Sequence, residues 1–591
     1  MATIEQFREW FEQDYKNSEG WRLEAKRDFG FTEGYAQWPE DKKAEVQRMQ
    51  NRPALTLNNI LPTINVISGQ ERAARVAVML KPRGIEDDTI AAIMNATYRF
   101  AEEQSEMPFE ISASFQDMAI CGRGYVELGV TMEDPLEPFG EVSCRRRHPL
   151  SIFHDASADE YSLQDGERIA RASWQHEDTL RLYFPKQMAD VKAGEWLQQD
   201  AQFLGDAQYW NQWIDRERKR IRVLQMWYKV PRRAHFLIHP DQMVDRFATE
   251  EAAVSARDAV AQAYAAARAQ VPDMPIFARV VRDVRVADMC FWKILADRPS
   301  PYRHGLFPFV PLTAFHLDEL VMGVVRNMRD PQMEGNKRWS QILHIINTMA
   351  KGNVGVPKGS VDDFEKFREN YGKGGYIYEF NKDIGRPEAD TVSGQLPTAL
   401  VELAMLLEDQ MRKISLVNQE LLGLSRAPDQ SGKAMNVMKQ AGITGLAPIF
   451  DSGVRSQKLI GRQTISLIQQ YYPAEKVAEV VGPVVMAKLR QEQMASQLLT
   501  GVPIDPMSRF QQALAARYDV AVDVSALMGT ERERNLQTLA ELFKAAPLPI
   551  ILKSIFEVSD FPNKQATLAA IDQMPTQAQG QPAGAGQPTG A

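Results

Sequence analysis

Cysteine is nearly absent. The 591 residues contain three, Cys121, Cys144 and Cys290. None stands in a C-x-x-C or similar spacing, which excludes a disulfide framework and a thiolate zinc site and leads us to expect folding in a reducing interior. Long apolar runs are missing too: no stretch approaches 18 uninterrupted apolar residues. The N-terminal "MATIEQFREWFEQDYKNSEG" is amphipathic and acidic, not basic followed by apolar. A membrane-spanning helix and a secretory leader are therefore not indicated, and an intracellular protein without a membrane partner is the expectation. Positive charge is not in excess either. A net charge of -8 argues against a polybasic anchor or a nucleic-acid coat, although not against a protein that DNA merely passes.

Catalytic signatures are equally scarce. In "APDQSGKA", 427 to 434, Ala427 and Ala434 stand where a phosphate-binding loop needs glycine and a magnesium-binding hydroxyl. The densest set of potential metal ligands is "HPLSIFHDASADE", with His148, His154, Asp155, Asp159 and Glu160. Its irregular spacing meets neither H-E-x-x-H nor an EF-hand, and reads first as a strand end followed by an Asp/Ser-rich turn. The remaining histidines are scattered and no G-x-S-x-G elbow accompanies them. No catalytic residue, cofactor or resident metal is expected. The alternative in which that cluster holds a divalent ion makes the chain a metal-dependent DNA-processing enzyme.

What is present is ordinary globular composition, 44% hydrophobic and 25% charged, at a length that implies two to four domains. Phe7, Trp10, Phe11 and Tyr15 recur at helical spacing, and Trp21 and Leu23 lead into a second such segment. Pro62 fits the first turn of a further helix, with Asn58 and Asn59 just upstream. From about 120 to 310 the texture alternates, as in "GYVELGV", "EVSCRRR", "IRVLQMWYKV" and "AHFLIHP", which predicts strands. The alanine-rich 249–270 stretch, N-capped by Thr249, reads as a peripheral helix.

Two long helical patterns, 318–350 and 396–423, then flank an island at 351–395 with room for a short helix and a few strands. In the second, Leu400, Leu403, Leu407, Ile414 and Val417 keep heptad spacing and predict a packing seam. The island interleaves aromatic and basic residues in "FEKFRENYGKGGYIYEFNK". Its seven basic against eight acidic side chains argue against tight nucleic-acid binding. In the first pattern Pro331 interrupts the stripe. With Asp330 as N-cap and Pro331 at the first helical position, it reads as a helix ending near Met328 and another starting at 331. One continuous, kinked helix is the alternative. The last 17 residues, 575–591, carry no charge and no large apolar side chain, and are expected to be disordered.

Taken in order, "RPALTLNNILPTINVISGQERAAR" (52–75), "SPYRHGLFPFVPL" (300–312), "GVVRNMRDPQMEGNKRWSQ" (323–341) and "SGKAMNVMKQ" (431–440) resemble the portal proteins of short-tailed, double-stranded-DNA bacteriophages. The likeness covers roughly residues 5 to 540 and lies in the order and spacing of segments. It implies an α+β, multidomain fold of wing, stem, clip and crown, assembling as a ring of twelve around a central DNA channel. On this chain the wing would be 1–317, the first stem helix 318–350, the clip 351–395 and the second stem helix 396–422. The tunnel loop and long wing helix would be 423–473, the crown 474–574 and the tail 575–591.

The resemblance implies further that the ring sits at one capsid vertex of the virion after assembly in the host cytoplasm. Its partners would be the major capsid protein, the terminase large subunit, tail adaptors and the DNA that passes through. Gln430, Ser431 and Lys433 would then approach DNA in the tunnel loop. Lys351, Lys358, Arg368 and Lys373 would meet neighbouring subunits, terminase or adaptor at the clip. Leu400, Leu403, Leu407, Ile414 and Val417 would pack the stem, and Asp330 and Pro331 would be its hinge. A tail adaptor or scaffold is the other structural reading, but a scaffold should lack the strand-rich region.

Overall fold

A computed structural model describes residues 2–48, 53–73, 75, 77–82, 88–132, 137–189, 214–215, 217–239, 244–266, 273–290, 293–317, 320–351, 353–370, 376–390, 398–417, 442, 444–500, 506–523, 539, 542–544, 551–552 and 554–555. The two helical segments expected at the N-terminus are one helix, α1 (Ile4–Glu33). A Thr3/Gln6 capping box opens it and Gly34, at φ 94°, closes it. Nothing breaks it between, because Gly20 only lowers helix propensity and the apolar spacing continues on either side. After α2 (Glu40–Arg48), α3 (Ile60–Ala73) starts with the Asn58 carboxamide accepting the Ile60 and Leu61 amides at 3.1 and 3.3 Å, and Pro62 lies in its first turn as expected. Then come β1 (Ala77–Pro82), α4 (Asp88–Gln104), α5 (Met107–Cys121), β2 (Arg123–Thr131) and β3 (Glu141–Arg147).

The strand-rich region contributes β4 (Ile152–His154), β5 (Arg168–His176), the short α6 (Glu177–Tyr183) and α7 (Pro185–Met188), β6 (Ile214–Asp215), β7 (Arg220–Ile238) and β8 (Val244–Phe247). Two of the expected strands are one here. β7 runs through Pro231, where its other neighbours β5 and β8 do not pair, so the missing amide breaks no ladder on that side. The peripheral alanine-rich helix is α8 (Glu250–Ala266), with the Ala252 amide donating to Thr249 Oγ1 at 3.3 Å. It is followed by β9 (Ile276–Cys290), β10 (Lys293–Pro299), β11 (Phe309–Thr313) and a hairpin of β12 (Phe315–Leu317) and β13 (Leu320–Met322).

The long helix α9 (Val325–Lys351) comes next. The inserted island holds β14 (Asn353–Gly355), α10 (Phe364–Asn370) and β15 (Glu388–Asp390). The second long helix, α11, spans Thr398–Ser415. The described C-terminal part is α12 (Ala447–Tyr471), α13 (Ala474–Val480), α14 (Pro483–Thr500), α15 (Pro506–Ala515) and β16 (Tyr518–Asp523).

The architecture is α+β in two layers that α1 spans and that also meet in a buried cluster of Tyr125 and Phe309 with Ile152, Ile169 and Trp227. β10, β9, β7, β5 and β4 form one antiparallel sheet with β6 and β8 on β7, and the N-terminal half of α1 lays Phe7 and Phe11 onto it. The C-terminal half buries Ala25 and Phe31 in a larger core built from α3, α4, α5, α12 and the β11-β2-β3 sheet. At about 1.5 Å per residue, α1 has the length to reach both. β16 closes this second body by pairing antiparallel with β1, and Phe510, Leu489 and Val477 join its core. Residues 474–523, read from sequence with the C-terminal helical region, thus share a core with residues from the first quarter of the chain.

Candidate functional site

The segment of most interest is the hairpin of α9 and α11 with the island between them, because its root is held by features the sequence reading did not identify. The chain enters α9 through a point of closest approach to α5. A Cβ on Gly323 would lie 2.3 Å from the Ile120 carbonyl oxygen, and one on Gly122, already at φ +92°, would meet the Met322 backbone at 2.5 Å. Phe315–Leu317 and Leu320–Met322 pair as β12 and β13, so the helix begins at Val325 and not at 318.

Pro331 does not break the helix. α9 runs through it, which overturns the preferred reading of one helix ending near Met328 and another capped by Asp330. Proline removes only the amide that would bond the Asn327 carbonyl, and Asn327 is exposed, so water can take that bond. Asp330 is an exposed residue inside the helix. On the same helix the polar Gln332, Asn336 and Ser340 are buried, each at 3% exposure or less.

These three side chains grip the extended segment 53–59. The Asn59 amide donates to Gln332 Oε1 at 3.2 Å, Leu57 to Asn336 Oδ1 at 2.9 Å and Leu55 to Ser340 Oγ at 2.9 Å. The match is geometric: four helical residues rise about 6 Å and two extended residues about 6.6 Å, so i, i+4, i+8 on a helix meets every second amide of an antiparallel extended chain. The next amide in that series would be at Pro53, which has none, so the ladder ends there and its register is fixed. Gln37 ties the ladder to α1, accepting from Asn336 Nδ2 at 2.9 Å and donating to the Phe31 carbonyl at 2.8 Å.

In the two turns before the ladder, Arg326 and Arg329 clasp Asp28 and Glu24 of α1. Arg326 Nη2 lies 3.0 Å from Asp28 Oδ2, Arg329 Nη1 is 3.4 Å from Asp28 Oδ1, and Arg329 also pairs with Glu24. Asp28 is wholly buried, and burial outweighs the two guanidinium groups, pushing its pKa up to about 6.

The outer parts look different. α9 and α11 pack together, with Trp339 Nε1 donating to Glu408 at 3.2 Å. On α11 the buried residues are Ala404, Met411 and Ser415, with Leu400 and Leu407 half-buried. Leu403 and Ile414, placed by their heptad spacing in the seam, are 36% and 39% exposed. The packing face within the subunit is therefore displaced by one residue, leaving Leu403, Leu406 and Ile414 as an apolar face towards solvent. α11 ends at Ser415, Leu416 is left-handed at φ 58°, and Val417 is buried but beyond the helix, so the helix stops short of 422.

The island is closed at its base by β14 and β15, pairing Asn353 with Asp390. Phe367 is buried against Tyr378 at 4.8 Å, so part of the aromatic content packs internally, while Ile377 is 90% exposed. Lys358 and Arg368 are exposed, Arg368 standing 3.6 Å from Glu365 on its own helix. Lys351 is the last residue of α9. Lys373, Gln430, Ser431 and Lys433 lie outside the described residues, as does the 575–591 tail.

The His148–Glu160 stretch runs through the short strand β4 into a turn. Burial holds His148 down at about 4, and its ring packs on Phe29 at 5.1 Å. His154 contacts Arg123. Asp155 accepts the Ser157 hydroxyl at 2.8 Å and the Glu167 amide at 3.0 Å, while Asp165 accepts the amides of Asp159 and Glu160. Among the described residues no three His, Cys, Asp or Glu side chains come together as a ligand set. No described helix is long and apolar enough to cross a membrane.

The chain is thus an α+β body carrying a rooted helical hairpin with apolar residues left facing outwards. The sequence matches the family described as Phage P22-like portal protein over residues 8–590, and the chain belongs to that family. No curated protein matches it.

Proposed function

We propose that the protein is one subunit of a twelve-membered ring at a single capsid vertex, through which a terminase packages double-stranded DNA and through which the DNA later leaves. Membership of the portal family over nearly the whole chain carries this reading. The role is structural and calls for no cofactor. The exposed Leu403, Leu406 and Ile414 support it, since an apolar helix face left open in one subunit is the kind of surface a neighbour covers.

In this reading residues 1–317 are the wing, α9 and α11 the stem, and the 351–395 island the clip. Lys351, Lys358, Arg368 and Lys373 there meet terminase, adaptor or the next subunit. Gln430, Ser431 and Lys433 approach DNA in a tunnel loop, and 474–574 is a crown whose first part is rooted in the body core. The major capsid protein surrounds the ring, and assembly takes place in the host cytoplasm. A net charge of -8 suits a conduit, because each phosphate contact adds affinity and hence drag on DNA that must slide. Negative-stain electron microscopy of the purified chain tests the proposal. Rings with a central hole support it, and a compact monomer at high concentration counts against it.

A further inference from the structure

A cleft of about 230 Å³ lies in the larger body, between the end of α3, the α4–α5 corner and α12. Its polar lining is incomplete. Glu71, 8% exposed, leaves Oε2 without a hydrogen-bond partner, and Gln457 leaves Oε1 likewise. Buried polar atoms are rarely left so, and two orphaned acceptors on one cleft point to a missing donor. Glu102 and Glu103 add two more carboxylates to the lining, and among the described residues that line it Arg75 is the one cation. Arg75 does not supply the donor: its guanidinium lies over the Phe109 ring at 4.6 Å, and its Nε has no hydrogen-bond partner. The other walls are apolar, with Tyr98 and Ile111 opposite Ile460.

A compact group with several N–H donors, a positive charge and an aliphatic stem matches this lining. We propose that the cleft binds a primary alkylammonium group, with Glu71, Glu102 and Gln457 receiving its N–H donors and Tyr98, Ile111 and Ile460 flanking its methylenes. Burial raises the pKa of both Glu71 and Glu102 from the usual glutamate value, so a bound cation would relieve a cost already present. The group has two sources, a free aliphatic polyamine or a lysine side chain from a second copy of this chain.

Calorimetric titration of the full-length protein with 1,4-diaminobutane tests the site, with tetramethylammonium, which has the charge but no N–H, as control. Saturable binding of one diamine per chain is expected, at least tenfold weaker in Glu71→Gln and in Glu102→Gln, with no saturable response to tetramethylammonium. The second variant is half-buried and guards against a folding defect in the first, with thermal melts of both as a check. Diamine binding to monomer and assembly alike identifies a free amine; binding to monomer only, with assembly inhibited by excess diamine, identifies a neighbour's lysine. Absence of saturable binding to either state, equal responses to the two compounds, or unchanged affinity in both variants would overturn the proposal and leave water as the occupant.

Discussion

The root of α9 and the outer face of α11 solve opposite problems with neighbouring stretches of one hairpin. At the root, polar side chains are buried and satisfied within the subunit: Gln332, Asn336 and Ser340 hold residues 55–59, and Arg326 and Arg329 hold α1. On α11, apolar side chains are left exposed: Leu403, Leu406 and Ile414. Polarity alone would assign each to the wrong environment. A buried amide costs free energy only when unpaired, and an exposed leucine only when nothing will cover it, so the partner decides the environment of each. The root is complete in one chain, whereas the α11 face is complete only with another.

Mutations should separate the two regions. The largest effect is expected at the entry to the root. Gly323→Ala, whose Cβ meets the Ile120 carbonyl, should cost about 4 kcal/mol of subunit stability in urea melts. Asn336→Leu should follow, at about 3 kcal/mol, because it strands the Leu57 amide and the Gln37 carboxamide in a buried site. Leu403→Ser combined with Ile414→Ser should do the reverse. Monomer stability should move by less than about 0.5 kcal/mol while association, followed by mass photometry, weakens at least tenfold. Loss of stability without loss of association would erase the contrast.

Two smaller effects sharpen it. A folded-state pKa raised to about 6 means that the native chain takes up a proton at Asp28 before the unfolded chain does. The stabilising contribution is then full below about pH 4 and disappears as pH rises through 6. Relative to Asp28→Asn, the wild-type chain should gain stability between pH 7 and pH 4.5; a relative gain in the other direction refutes the assignment. Asp14 and Asp117, also pushed to about 6 mainly by burial, cancel in that difference. Smallest of all, Pro331→Ala restores one exposed helical bond and should raise stability by about 1 kcal/mol with the helix intact. A loss of comparable size would mean that the proline holds a needed bend.

Much of the element order was legible, and the misses share a cause. Alternation marked β2, β3 and β7, Thr249 and the Asn58–Pro62 start were visible as caps, and the island between two long helices stood out. The seam on α11 was placed one residue away, at Leu403 and Ile414 in place of Ala404, Met411 and Ser415, because the helix is apolar on more than one side and periodicity cannot say which side meets α9. The helix break at Pro331 failed for a related reason. A proline is disruptive in proportion to what its lost bond leaves unpaired, and that depends on whether the carbonyl four residues earlier faces water. The residues at 418–441 and the tail remain readings from sequence.

By itself the sequence determined what local periodicity and turn chemistry can specify: the α+β character, the long helices, the strand-rich middle and the family resemblance. Only the tertiary structure decided that Gln332, Asn336 and Ser340 form a ladder. Their spacing of four gains meaning from an extended segment some 280 residues earlier in the chain, with every second amide turned towards them and Pro53 ending the register. A polar side chain carries its hydrogen-bonding capacity in its own structure, but its partner, and hence whether it is surface or core, comes from what the fold brings beside it.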